Sequence, residues 1–125
     1  MMSGPILSLR GLRTWVVVGD VLDPSNPAYR VASSIESQGR LLYRVSPTLD
    51  PKEISLKKRL FKRFSDVPFD EANVDAVNLC VNYRIGMKVL EEMKERGIER
   101  CFFQPGADRP EAVQKVEELG IVYQC

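Results

Sequence analysis

The apolar residues of this 125-residue chain come in short runs, punctuated by glycine, proline and charge. Thr14-Trp15-Val16-Val17-Val18-Gly19 is the clearest run. It predicts a strand covered on both faces, because the polar alternation of a half-exposed strand is lost when neither face meets water. Val74-Asp75-Ala76-Val77-Asn78-Leu79-Cys80-Val81 has the same character and predicts a central strand; Arg100-Cys101-Phe102-Phe103-Gln104 predicts another. Leu41 to Val45, ended by Ser46-Pro47, and Ile121-Val122-Tyr123 read as two more. Pro51 to Pro68 fits neither period, and an edge strand, or a short helix leading to one, is expected around Arg59 to Phe64.

Between these runs the spacing changes to that of helices. Ala28, Val31, Ala32 and Ile35 line one face of a helix from Pro27 to Gln38, with Gly39 as its stop. Ile85 with Val89, Met87 with Leu90, and Met93 form the stripe of a second, from Arg84 to Arg96, whose Glu91, Glu92, Lys94 and Glu95 stay polar. Val113, Val116 and Leu119 mark a third, with Pro110 in its first turn and Asp108 and Glu111 at capping-box spacing. Strands alternating with helices indicate an open α/β sheet of about five strands, mostly parallel, with helices on both faces and right-handed connections. Ligands of such sheets sit outside the carboxyl ends of the strands. Three loops are therefore expected to converge on one crevice: Gly19 to Asn26, Asn82 to Gly86 and Gln104 to Asp108.

Composition narrows this picture. The length suits a single domain, 1–125, with residues 1–13 as a short N-terminal tail. Arg10, Arg13, Ser3 and Ser8 in that tail outline a mitochondrial alternative to the expected cytoplasmic location. Eighteen basic against seventeen acidic residues give no general attraction to nucleic acid or anionic membrane, so neither is expected as a partner. No apolar run approaches the roughly 20 residues that span a bilayer. Three widely spaced cysteines, Cys80, Cys101 and Cys125, resemble neither a disulfide framework nor a zinc site and fit a reducing compartment; no metal is expected. Histidine is absent, which removes the usual general base from any mechanism within the chain.

Gly19 carries the main chemical expectation, since a buried strand that ends in glycine and feeds a helix offers backbone N–H groups to a phosphate. The dinucleotide fingerprint is incomplete, with Asp23 and Pro24 where further glycines would stand. Arg30, in the first helical turn, is placed for a charge-assisted contact. The basic run Lys57-Lys58-Arg59 with Lys62-Arg63 is expected to be a solvated sheet edge in preference to a phosphate or nucleic-acid site. Asp20, Asp23, Asp75 and Asp108 are expected in turns and caps, Cys80 and Cys101 in the core, and Cys125 as a free terminal thiol. No base and nucleophile are paired in the sequence, and no catalytic residue is assigned.

Gly19 through Val31, Val45-Ser46-Pro47, Phe103-Gln104-Pro105-Gly106 and the final Cys125 together resemble the small CoA-binding domain family. These are single-domain Rossmann-like proteins related to the CoA-binding domain of the succinyl-CoA synthetase α subunit. The resemblance runs from Thr14 to Cys125. It implies CoA or acyl-CoA bound without catalysis, the pyrophosphate near Gly19, Asp20 and Val21 and the nucleotide end over Ser46 and Pro47. Asn26, Arg30, Arg84, Gln104 and Gly106 would complete the site. Several positions depart from the family pattern: Asp20 sets a carboxylate beside the expected phosphates, Val21 replaces a small polar residue, and Ser46 replaces asparagine. Asn26 and Val81 stand where arginine is frequent, with Arg84 three residues on as a substitute for the second. A second reading therefore stays open, a member that has lost CoA and serves as a protein-interaction module. A homo-oligomer and a protein partner are both compatible with the sequence.

Overall fold

A computed structural model describes residues 11–125, so that most of the expected tail lies outside the described residues. Its elements run β1 (Thr14–Gly19), α1 (Pro27–Ser37), β2 (Leu41–Val45), β3 (Leu60–Phe61), β4 (Ala76–Cys80), α2 (Tyr83–Arg96), β5 (Arg100–Phe103), α3 (Pro110–Glu118) and β6 (Val122–Gln124). Short 3₁₀ turns at Pro51–Glu53 and Phe64–Asp66 flank β3. The six strands form one sheet in the order β3-β2-β1-β4-β5-β6, every pair parallel. This is the Rossmann-like α/β fold.

Strand periodicity sorts the apolar side chains between two layers. Val16 and Val18 of β1 join Tyr43, Val45, Val77, Leu79, Cys101 and Phe103 on the face that α2 and α3 cover with Val89, Leu90, Met93, Ala112 and Val116. Trp15 and Val17 point the other way, joining Leu42, Leu60 and Ala76 beneath Ala28, Ala32 and Ile35 of α1. Each buried Val, Leu, Ile, Phe or Met side chain among these stabilises the fold by about 1.5–3 kcal/mol relative to exposure. Leu12 is also buried in this second layer, and its carbonyl accepts the Trp15 Nε1–H at 2.8 Å, so the core begins inside the stretch expected as tail. Asp75 fixes the entry to β1 and β4 by accepting the N–H groups of Arg13 and Thr14 at 2.9 and 3.0 Å.

Two local expectations change. The ambiguous stretch resolves into a two-residue edge strand, Leu60–Phe61, which follows a tight loop closed by the Ser55 and Leu60 bridge, with Arg59 left-handed at φ 51°. Lys57, Lys58 and Arg59 are exposed there while Leu60 and Phe61 are buried, the arrangement of a charge-protected edge. Asp108 does not cap α3. The N-cap position is Arg109, without a side-chain cap bond, because Asp108 Oδ1 instead accepts the Gly106 N–H at 3.1 Å and closes the preceding turn. Among the described residues no helix is long and apolar enough to cross a membrane, and no group of His, Cys, Asp or Glu could hold a metal.

Candidate functional site

The chain leaves β1 toward β2 on one side and leaves β4 toward β5 on the other, so the carboxyl ends of β1 and β4 part at a topological switch point. A crevice of about 240 Å³ opens there, lined by Asn26, Pro27, Cys80, Val81, Asn82, Gln104, Pro105 and Gly106. All three loops singled out in the sequence contribute to it. Asn26 is the N-cap of α1: its Oδ1 accepts the Ala28 N–H at 2.9 Å, while Pro27 at the first helical position needs no partner. Asn82 does the same for α2, accepting the Arg84 N–H at 2.8 Å. Gln104 is held by its backbone, donating to Leu79 and accepting from Ala107, and Gly106 turns the chain at φ 95°, a conformation that disfavours a side chain.

Because both asparagine oxygens are committed to helix caps, their NH₂ groups remain as donors without a partner among the described residues. Together with Gln104 they give the crevice three carboxamides and no formal charge. Such a wall complements neutral amides or phosphate oxygens in preference to cations.

The β1–α1 loop is built differently. A Cβ on Gly19 would lie 2.8 Å from the Ala28 Cβ, 2.8 Å from the Cys80 carbonyl oxygen and 2.9 Å from the Cys80 Cβ, so glycine lets α1 and β4 close on the end of β1. Val21 is buried among Trp15, Val17 and Ala28, and its N–H donates to the Gly19 carbonyl at 2.9 Å. Asp23 Oδ1 accepts from both the Ser25 N–H and the Ser25 hydroxyl, at 3.0 and 2.7 Å, and these bonds hold its carboxyl below the usual range. The N–H groups of Val21, Asp23, Ser25, Asn26 and Ala28 are thus all engaged within the loop. Asp20 is exposed at its start.

The remaining candidate residues disperse. Ser46 is buried at the end of β2, its Oγ 3.4 Å from Thr48 Oγ1, and neither it nor Pro47 lines the crevice. Arg30 lies on the flank of α1 beside a separate concavity of about 350 Å³, together with Trp15, Arg40, Asn78 and Phe102. Arg84 does not line the crevice, and its guanidinium lies 5.5 Å from the centre of the Tyr83 ring. Arg109 approaches the same ring at 5.4 Å. Sequence reasoning put Asn82 and Tyr83 in a loop expected at the crevice but gave no side-chain role to either or to Arg109; the cap position of Asn82 was legible, whereas the meeting of Tyr83 with Arg109 depends on how α2 packs on α3.

Cys80 lines the crevice, yet burial pushes its thiol up to about 12, and its Sγ donates to Asn78 Oδ1 at 3.4 Å. Cys101 is buried and raised for the same reason; Cys125 is exposed, and partial burial with the nearby Asp108 charge raises it as well. None is held as a thiolate at neutral pH.

A family model described as CoA binding domain matches residues 13–125. Among solved structures, a hypothetical protein from Pyrococcus horikoshii OT3 superposes with a TM-score of 0.76 at 23% identity, over 92% of this chain and 77% of its own. A conserved hypothetical protein from Pyrococcus furiosus gives 0.73 at 24%, over 89% of this chain and 90% of its own. The dinucleotide forming acetyl-coenzyme A synthetase 1 of Ca. Korarchaeum cryptofilum gives 0.67 at 21%, over 89% of this chain and 25% of that much longer one. At these identities the superpositions show the shared fold. No curated protein gives a significant match. The chain belongs to the CoA-binding domain family.

Proposed function

We propose that this member of the CoA-binding domain family binds CoA or acyl-CoA in the crevice between the β1, β4 and β5 loops and performs no chemistry on it. The observation that carries the reading is the ring of three carboxamides, Asn26, Asn82 and Gln104, around a crevice at the switch point. The pantetheine arm of CoA is an uncharged chain with two amide groups, and such a wall satisfies it without burying a charge. The pyrophosphate then lies against the start of α1, beside Gly19 and Asn26, where the helix terminus favours an anion and the Asp20 carboxylate opposes one. The nucleotide end extends toward Ser46 and Pro47. A binding role without catalysis is supported by the absence of histidine and by a crevice thiol, Cys80, that burial keeps protonated.

Thermal shift and native mass spectrometry with CoA, dephospho-CoA, NAD and ATP test the proposal. CoA at a hundredfold excess over its Kd is expected to stabilise the fold by about 2.7 kcal/mol and to appear as a one-to-one adduct. No shift with any CoA species at millimolar concentration overturns it. A second reading, a member that has kept the fold and become an interaction module, is favoured by the self-bonded β1–α1 loop and would be supported by that negative result.

A further inference from the structure

We propose that the acyl group carried by this protein ends in a carboxylate, recognised by Arg84 and Arg109, whose guanidiniums both approach the ring of Tyr83. The inference rests on the CoA reading above and adds to it the class of acyl chain.

Tyr83 follows directly on Asn82 of the crevice wall, and Arg109 stands three residues beyond Gly106 on the facing loop. The two guanidiniums approach one ring, at 5.5 and 5.4 Å from its centre. Stacking on an aromatic face fixes a guanidinium in direction while leaving its in-plane N–H groups open. Both arginines are exposed, and neither has a carboxylate within ion-pair distance among the described residues, where the ion pairs are Arg44 with Glu36 and Lys115 with Glu91. Asp108, the acid next to Arg109 in the chain, accepts the Gly106 N–H. Two like charges held about one ring repel each other, and an anion beside them offsets the repulsion.

Position decides which part of the ligand meets them. With the pyrophosphate at the β1–α1 loop and the pantetheine among Asn26, Asn82 and Gln104, the free end of the ligand runs toward the loops after β4 and β5, which lead directly into Arg84 and Arg109. A methyl-ended acyl chain would leave both cations without a partner. A chain ending in a carboxylate supplies one, through charge-assisted hydrogen bonds to planar donors.

The test measures Kd by calorimetry for glutaryl-CoA and pentanoyl-CoA, which share a five-carbon chain and differ in whether it ends in a carboxylate or a methyl. CoA and dephospho-CoA complete the set. Glutaryl-CoA is expected to bind about tenfold more tightly than pentanoyl-CoA, the scale of a hydrogen bond to a charged group in a partly solvated site. In Arg84→Gln and Arg109→Gln proteins the ratio of the two affinities should fall toward one; reading the ratio cancels any general weakening. Equal binding of the two ligands by the wild-type protein, with CoA itself bound, overturns this inference and leaves the CoA reading standing. Binding of no CoA species overturns both. If removing the 3′-phosphate weakens the wild-type protein but not the Arg84→Gln and Arg109→Gln proteins, the arginines hold that phosphate, the ligand runs the opposite way, and the inference fails on that ground.

Discussion

The two walls of the crevice solve the same structural problem with opposite consequences for a ligand. On the β1 side, the loop from Asp20 to Asn26 spends its backbone donors on itself, Asp23 takes two bonds from Ser25, and the one side-chain amide left to the crevice is that of Asn26, whose oxygen caps α1. On the β4 and β5 side, the Asn82 cap occupies only an oxygen, and Asn82 and Gln104 bring two side-chain amides to the crevice, with the Arg84 and Arg109 guanidiniums at the adjoining Tyr83 ring. One wall is closed and acidic, the other open and rich in donors. Most side-chain donors of the crevice therefore come from the β4 and β5 loops, whereas a glycine-rich phosphate loop would offer backbone donors on the first.

Two glycines, Gly19 at the end of β1 and Gly106 after β5, give the sharpest way to break that contrast. Gly19 is required by packing, since a Cβ would press on Ala28 and on the Cys80 backbone, neither of which can swing away. Gly106 is required by backbone conformation alone, with nothing within 4 Å of its Cβ position. Gly19→Val is expected to cost about 3 kcal/mol through overpacking, and Gly106→Ala about 1–2 kcal/mol through its left-handed φ. Urea unfolding of the two variants measures the difference. A Gly19→Val protein as stable as the wild type would show that α1 and β4 are not locked on the end of β1.

Much of this arrangement was legible in the sequence. The runs around Val16 to Val18 and Val77 to Leu79 announced buried parallel strands because both faces are covered, and Gly39, Gly97 and Gly120 marked the helix ends. The edge strand β3 was harder to read, because Leu60–Phe61 is only two residues long and depends on pairing with Arg44 and Val45 for its existence. Asp108 looked like a cap from its spacing to Glu111; the turn at Gly106 competes for the same oxygen and wins. At the site, the three loops were placed by their order, but side-chain direction was not. Val21 lies at the phosphate position in the chain yet faces inward to the second core layer, and Arg30 faces a different concavity.

Electrostatics of the closed wall supplies the next test. The Asp20 carboxylate is exposed and accepts no hydrogen bond among the described residues, so its removal should leave the fold unaffected. If the pyrophosphate lies beside Gly19, Asp20→Asn removes a like-charge repulsion of up to about 1 kcal/mol at high dielectric, which corresponds to roughly fivefold tighter CoA binding. The gain should shrink as salt is added, because exposed charges are screened. Calorimetry at low and high ionic strength checks both points, and an unchanged Kd at low salt would move the phosphates away from this loop.

The smallest effect concerns whether the self-bonding of the closed wall depends on charge. Asp23 has an ordinary value of 3.8 and is held below it by the Ser25 hydroxyl first and the Ser25 N–H second. A carboxyl depressed in the folded state binds fewer protons there than in the unfolded chain, so its contribution to stability is present above the unfolded value and lost as pH falls through the folded one. Asp23→Asn keeps the shape of the side chain and removes the charge. The variant is expected to be slightly less stable than the wild type from neutral pH down to about 5, and the two unfolding curves should converge as the pH falls below the ordinary carboxylate value. Chemical denaturation at pH 7 and at pH 3 measures the convergence. A stability difference that persists unchanged at pH 3 would mean that the loop is held by its shape and the Asn26 cap, and that its closure owes nothing to the Asp23 charge.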